Sequence, residues 1–309
     1  MYHDILVAVD GDPNGRDAIA LARQLAEPDA NLTLAHVYGG EHDPARGSRT
    51  ESAARGSRTE SAVRHAESTE LLERERSEAG IDAGLRSIGA PSVGRGLHHL
   101  ALSRPTDLIV SGSSGQGPAG RVLLGDHIRG ALGGAPCAVA IAPRGYAHDR
   151  GEIDRIGVAY DFSEAADAVV VGARRLASEC AATLSALYVA PFPVVADEED
   201  APPDFEELVE AERAENEARA DLLEDLDGRV TYGQAGRRLT VFGDDVDLLV
   251  AGSRARGPMR SLSFGSTSNY LASHAGCALL IFPRAAQASP GRPSTASRRF
   301  LYASSSVTS

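Results

Sequence analysis

The sequence predicts an α/β protein of two tandem domains, each a doubly wound parallel sheet of the Rossmann-like kind, and three observations carry that prediction. Short apolar runs alternate with helical patterns through both halves of the 309-residue chain, the mark of parallel βαβ units with both sheet faces covered. The halves also open alike, since Ile5-Leu-Val-Ala-Val-Asp10 returns as Ile156-Gly-Val-Ala-Tyr-Asp161. A glycine spacing then appears twice, 140 residues apart. Its first copy reads Asp107-Leu-Ile-Val-Ser-Gly112-Ser-Ser-Gly115, nine residues, then Gly125-Asp126. Its second reads Asp247-Leu-Leu-Val-Ala-Gly252-Ser-Arg254-Ala255, nine residues, then Gly265-Ser266.

In the first half, apolar runs place strands at 4–9, 31–37, 84–88, 107–111 and 137–142, with helices at about 13–27, 60–79, 91–103 and 125–134. The first helix opens on Asp12 as N-cap with Pro13 at its first position, where the fixed φ of proline suits a helix start. In the second half Ser163 takes the capping part. Strands fall there at 155–160, 182–189, 229–232, 246–251 and 277–282, and helices at 164–179, 204–227, 235–243 and 265–274. The domains are expected at 1–145 and 152–284, joined by the short polar stretch 144–151, with a disordered tail at 286–309 where serine, proline and arginine replace periodicity. Residues 45–53 recur unchanged as 54–62. A polar nine-residue copy reads as an insertion in a surface loop, where added length costs little.

Composition removes several classes of function. All 31 basic residues are arginine, so there is no P-loop lysine to reach a phosphate and no amine for a Schiff base. The net charge of −12 argues against nucleic acid as the main partner. Most of it lies at 197–227, where fifteen acidic residues face only Arg213 and Arg219. An apolar stripe through Phe205, Leu208, Val209, Leu222, Leu223 and Leu226 makes that tract an amphipathic helix with a solvated face. No apolar run is long enough to span a bilayer and the N-terminus lacks a basic-then-apolar pattern, so the expectation is a cytoplasmic protein with no membrane partner. The three cysteines read as small buried hydrophobes.

In an open parallel sheet, ligands sit beyond the carboxyl ends of the strands where strand order reverses. Asp10 and Asp161 end the first strand of each half, and the glycine loops end the fourth. A carboxylate there accepts hydrogen bonds from a ribose or an adenine amino group, while backbone N–H groups at a helix start hold an anion. That outlines a nucleotide site. The plainer reading is that the aspartates and glycines only form turns. Elsewhere the pattern is poor in chemistry. His98 and His99 diverge on a helix with no third ligand in register, His127 stands beside the competing Asp126, and the serines after Gly112 have no evident base.

The strand-plus-aspartate openings, the spaced glycines and the Ala135-Pro-Cys137 and Ala275-Gly-Cys277 closing strands together resemble the universal stress protein family, in tandem. The likeness covers about 1–145 and 152–284. It implies an α/β sandwich that binds ATP or a related adenine nucleotide, with the opening aspartate and a residue ending the second strand, Val37 and Tyr188, touching adenosine. The glycine loops, Gly112, Gly115 and Gly125 in one half and Gly252, Gly265, Ser266 and Thr267 in the other, would hold the phosphates. It also implies an internal pseudo-dimer joined through the last strands, open to further homo-oligomerisation.

Each half departs once from the family motif. Asp126 replaces the hydroxyl residue after the third glycine, and a like charge ~4 Å from a phosphate costs about 4 kcal/mol at an effective dielectric near 20, which bridging magnesium would offset. Ala255 replaces the middle glycine of the second half, at about 1–2 kcal/mol if a left-handed backbone is needed there. With Arg254, Arg256 and Arg260 nearby, the second half is expected to be the better phosphate site. The expected function is nucleotide binding without dedicated catalytic machinery. Two alternatives stay open: a nucleotide-free interaction protein whose acidic 197–227 segment docks partners, and slow ATP hydrolysis.

Overall fold

A computed structural model describes residues 1–39, 56–113, 120–122, 135–148, 151–191, 205–253 and 265–282. The first half runs β1 (Tyr2–Ala8), α1 (Pro13–Leu25), β2 (Ala26–Tyr38), α2 (Gly56–Ala79), β3 (Gly84–Gly89), α3 (Val93–Ser103), β4 (Leu108–Gly112) and β5 (Ala138–Ala142). The second runs β6 (Arg155–Tyr160), α4 (Glu164–Cys180), β7 (Thr183–Ala190), α5 (Phe205–Leu222), β8 (Arg229–Tyr232), α6 (Ala235–Gly243), β9 (Leu248–Gly252), α7 (Ser266–His274) and β10 (Ala278–Phe282). The expected helix at 125–134, the tail at 286–309 and most of the duplicated stretch lie outside the described residues.

Among the described residues, all the strands join one ten-stranded sheet in the order β3-β2-β1-β4-β5-β10-β9-β6-β7-β8. Pairing is parallel within each half, and β5 meets β10 antiparallel, with Ala140 opposite Leu280. Alternate residues of each strand feed opposite faces. Ile5, Val7 and Val9 belong to one core cluster with residues of α1, α2 and α4, whereas Leu6 and Val37 belong to another with residues of α3, α6 and α7. Both core clusters contain residues of both halves. Cys137 and Cys277 are buried beside the joint, and desolvation pushes each thiol up to about 12. Among the described residues no helix is long and apolar enough to cross a membrane.

Beside smaller shifts, such as β1 starting at Tyr2 instead of residue 4 and α2 at Gly56 instead of residue 60, α1, β2 and α5 differ from expectation. α1 stops at Leu25 and β2 starts at once, because Pro28 pushes Glu27 to an extended backbone. The register jumps here from Tyr2↔Ala26 to Asp4↔Asn31, a bulge in β2. The acidic helix ends at Leu222, five residues early, and a single 3₁₀ turn, Glu224–Leu226, follows it. Asp227 then adopts a left-handed backbone (φ 47°), and Gly228 lies so close that a Cβ would sit 2.4 Å from Leu223 Cβ. Asp12 occupies the N-cap position of α1 with an extended backbone, but its side chain makes no capping bond; Pro13 follows as expected.

Candidate functional site

Strand order reverses between β1 and β4 and again between β6 and β9. Asp10 and Asp161 stand at those two points, just past the carboxyl ends of β1 and β6. Both make the same turn. Asp10 Oδ1 accepts the Asp12 N–H at 3.1 Å. Asp161 Oδ1 accepts the Ser163 N–H at 3.1 Å and the Ser163 hydroxyl at 2.5 Å, while Ser163 Oγ caps α4 by accepting the Ala166 N–H at 3.2 Å. The turn role that spacing alone left open is therefore real in both halves. A carboxylate offers about four lone-pair sites, and at Asp10 the Asp12 N–H takes one of them. Asp10 is exposed at the crevice mouth, yet desolvation raises its carboxyl above the ordinary range, opposed by the bond from the Asp12 N–H.

The glycines ending β4 and β9 face different surroundings. A Cβ on Gly112 would lie 2.0 Å from the Asn14 carbonyl oxygen, so α1 and β4 approach each other only because this residue is glycine. At Gly252 the nearest atom to a Cβ would be Val169 Cγ2, at an ordinary 3.4 Å. Beyond the strands, the Ser113 N–H donates to the Ala142 carbonyl and the Ser253 N–H to that of Phe282, which prolongs the ladders. The Gly120 N–H donates to the Arg144 carbonyl at 2.8 Å and the Val122 N–H to that of Ala275 at 2.8 Å. These four amides of the glycine loops are thus taken up by protein oxygens.

Gly265 is the N-cap residue of α7, followed by an exposed Ser266 and a half-buried Thr267. The first-turn amides of a helix have no acceptor within it, so those of Ser266, Thr267 and Ser268 are left to partners outside α7. Ser268 was missed in the sequence. Its hydroxyl donates to the Gly252 carbonyl at 3.1 Å and ties the end of β9 to the start of α7. Gly115, Gly125, Asp126, His127, Arg254, Ala255, Arg256 and Arg260 lie outside the described residues.

The structure separates Val37 from Tyr188. Val7 pairs with Leu34 and its counterpart Val158 with Ala186, so the register equates Val37 with Val189 and His36 with Tyr188. A slip of one residue moves a side chain to the other sheet face. Val37 is buried against α3, where a Cβ on Gly96 would lie 2.6 Å from Val37 Cγ1. Tyr188 instead meets the Phe162 ring edge-on at 5.1 Å beneath the Arg219 guanidinium of α5. The counterpart of Val37 is therefore Val189, not Tyr188. Phe162 itself holds a left-handed backbone (φ 57°) directly after Asp161.

His36 accepts or donates across 2.7 Å to Ser68 Oγ, which also accepts from Ser87 Oγ at 2.5 Å, a buried seam between α2 and the sheet; burial holds the imidazole below its ordinary pKa. Among the described residues, the group able to converge on a cation is His3, Glu27 and Asp29, at the opposite, amino end of the strands.

Together the doubled fold and its two switch-point crevices define a tandem α/β protein of one domain type used twice. The family model for the Universal stress protein family matches residues 1–143 and again 152–283, and the chain belongs to that family. A curated relative, the universal stress protein encoded in the QAH/OAS sulfhydrylase 3′ region of Thermus aquaticus, is 28% identical over 142 residues, 46% of this chain and 98% of its own length. A universal stress protein of Archaeoglobus fulgidus, solved by crystallography, superimposes with a TM-score of 0.59 at 18% identity, covering 91% of this chain and 98% of that one. A protein of unknown function from Pseudomonas aeruginosa matches likewise, with a TM-score of 0.58, 18% identity and 91% and 92% coverage. At these identities the two structures speak for the fold alone.

Proposed function

We propose that the chain is a cytoplasmic adenine-nucleotide-binding stress-response protein with no catalytic machinery of its own. One observation carries this reading: in both halves an aspartate turn and a glycine-ended strand lie side by side at the switch point of the sheet. The carboxylate suits a nucleoside's hydroxyl or amino donors, and a helix start suits its phosphates. The second crevice is the stronger candidate for phosphate, because α7 offers its first-turn amides beside a sterically unforced Gly252. Equilibrium dialysis with millimolar ATP, AMP and cyclic AMP, with and without magnesium, should find at least one of them retained. No retention of any would end the proposal.

The loop amides already bonded to protein carbonyls favour a second reading, an interaction protein with degenerate crevices. Under it, the native chain binds no nucleotide and the double change Asp126→Ser, Ala255→Gly creates binding. Equal binding before and after the change argues against it.

A further inference from the structure

The amino ends of the strands, opposite the crevices, carry a donor set that nucleotide binding leaves unused. His3 on β1 meets two carboxylates of β2. Its Nδ1 lies 3.6 Å from Glu27 Oε2 and 4.0 Å from Asp29 Oδ1, and the three ligand atoms fall within 4.8 Å of one another. The bulge makes this meeting. Pairing passes from Tyr2↔Ala26 to Asp4↔Asn31, so His3 alone stands opposite the whole stretch 27–30. Glu27 and Asp29, two apart in an extended strand, share one side of it.

The surroundings orient these donors. Glu27 divides its oxygens: Oε1 accepts from Arg175 Nη2 at 3.2 Å, which leaves Oε2 toward the imidazole, and Arg175 Nε in turn donates to Glu179 Oε1 at 2.8 Å. A guanidinium on one oxygen fixes a carboxylate to bind metal through the other. Across the ring, Nε2 lies 3.3 Å from the Asn31 side-chain amide, which also donates to Asp4 Oδ1 at 3.0 Å. A metal on Nδ1 puts the ring proton on Nε2, where the Asn31 amide, turned over, offers its oxygen.

Charge and spacing select the ion. An imidazole with two carboxylates suits a divalent ion that takes nitrogen and oxygen together, above all zinc, whereas magnesium and calcium prefer oxygen alone. Tetrahedral zinc, with bonds of about 2.0–2.2 Å, holds its donors ~3.4 Å apart. The separations of 3.6 and 4.0 Å from the imidazole are already near that, and Asp29, 85% exposed, has room to close the remainder.

We propose that His3, Glu27 and Asp29 form a zinc site, completed by water, that pins the β2 bulge to β1. The site lies at the other end of the sheet from both crevices and does not depend on a nucleotide.

The test uses the tag-free full chain, stripped with a chelator and titrated with zinc chloride by calorimetry. His3→Ala should abolish a binding event that the native chain shows, and Asp29→Asn should weaken it by about tenfold or more. Asp29 is exposed, so the zinc-free Asp29→Asn chain should melt with the native protein and its loss of affinity reads the site itself. His99→Ala, which removes an exposed histidine of α3, should leave the titration unchanged. Zinc should raise the melting temperature of the native and His99→Ala chains but not of His3→Ala. Cobalt(II) in place of zinc should give the visible absorption of a tetrahedral site, altered in Asp29→Asn. No zinc binding, binding that survives His3→Ala, or an equal loss in His99→Ala would each overturn the proposal. So would binding that needs His3 but is indifferent to both Glu27→Gln and Asp29→Asn.

Discussion

Gly112 and Gly252 hold the same place in the repeat, yet the room around them differs, and the difference separates packing from binding. A methyl group on Gly112 would collide with the Asn14 backbone, which cannot yield without moving α1. Gly112→Ala should therefore cost about 3 kcal/mol or more, at the upper end of overpacking, seen as a lower urea midpoint. Gly252→Ala meets only a side-chain methyl at contact distance and should stay within about 0.5 kcal/mol of native. Any loss of nucleotide affinity in Gly252→Ala then reports on the crevice; a large loss of stability would show that glycine is needed there for packing too. Asp10 makes a second prediction at this scale. Its pKa is raised, chiefly by desolvation, so between the ordinary carboxylate value near 4 and the folded value the native state binds more protons than the unfolded chain. Stability then falls as pH rises through that window and stays lower at neutral pH. Asn at this position keeps an acceptor for the Asp12 N–H and carries no charge. Asp10→Asn should melt above the native protein at pH 7, coincide with it below about pH 3, and bind nucleotide more weakly. Parallel melting curves at every pH would contradict this.

At the scale of elements, most of the fold was legible because apolar period and turn chemistry act locally. β3, β6, β8, α6 and α7 all fall within a residue of their expected bounds. What stayed hidden depends on partners distant in sequence. The early start of β2 follows from a bulge against Tyr2 and Asp4, and nothing near 26–30 reveals the strand it meets. The same cause explains Tyr188. β7 reads as a strand in either register, and only its pairing with β6 shows that Val189, not Tyr188, lies where Val37 does. In the candidate site, the aspartates and Gly265 were legible from motif and spacing, whereas Ser268 and Val122 act through carbonyls 16 and 153 residues away. Two substitutions distinguish the strand-end roles. Tyr188→Ala should remove the edge contact with Phe162 and the guanidinium stacking of Arg219, together about 1–2 kcal/mol, with nucleotide affinity preserved. Val189→Ala should weaken nucleotide binding with less effect on stability. The reverse assignment of effects would restore Tyr188 to the crevice.

Across the whole molecule, the antiparallel meeting of β5 and β10 makes two repeats into one sheet with a shared interior. Each core cluster runs through both halves, and Ala140 and Leu280 face each other at the joint, both fully buried. Neither half can open there without exposing its last strand and uncovering the other's. Unfolding should accordingly be cooperative across the chain, giving a single calorimetric transition whose van't Hoff and calorimetric enthalpies agree. Ala140→Glu tests the cause. It buries an unpaired carboxylate between the halves, which costs several kcal/mol if the joint stays closed. Opening the joint hydrates that charge. The variant should therefore unfold in two steps, and Cys137 and Cys277, masked in the native protein by burial and thiol pKa values of about 12, should react with a thiol reagent before the main transition. Two steps in the native chain would mean that the halves fold as separate units, and one step with both thiols masked in Ala140→Glu would mean that the buried charge does not open the joint.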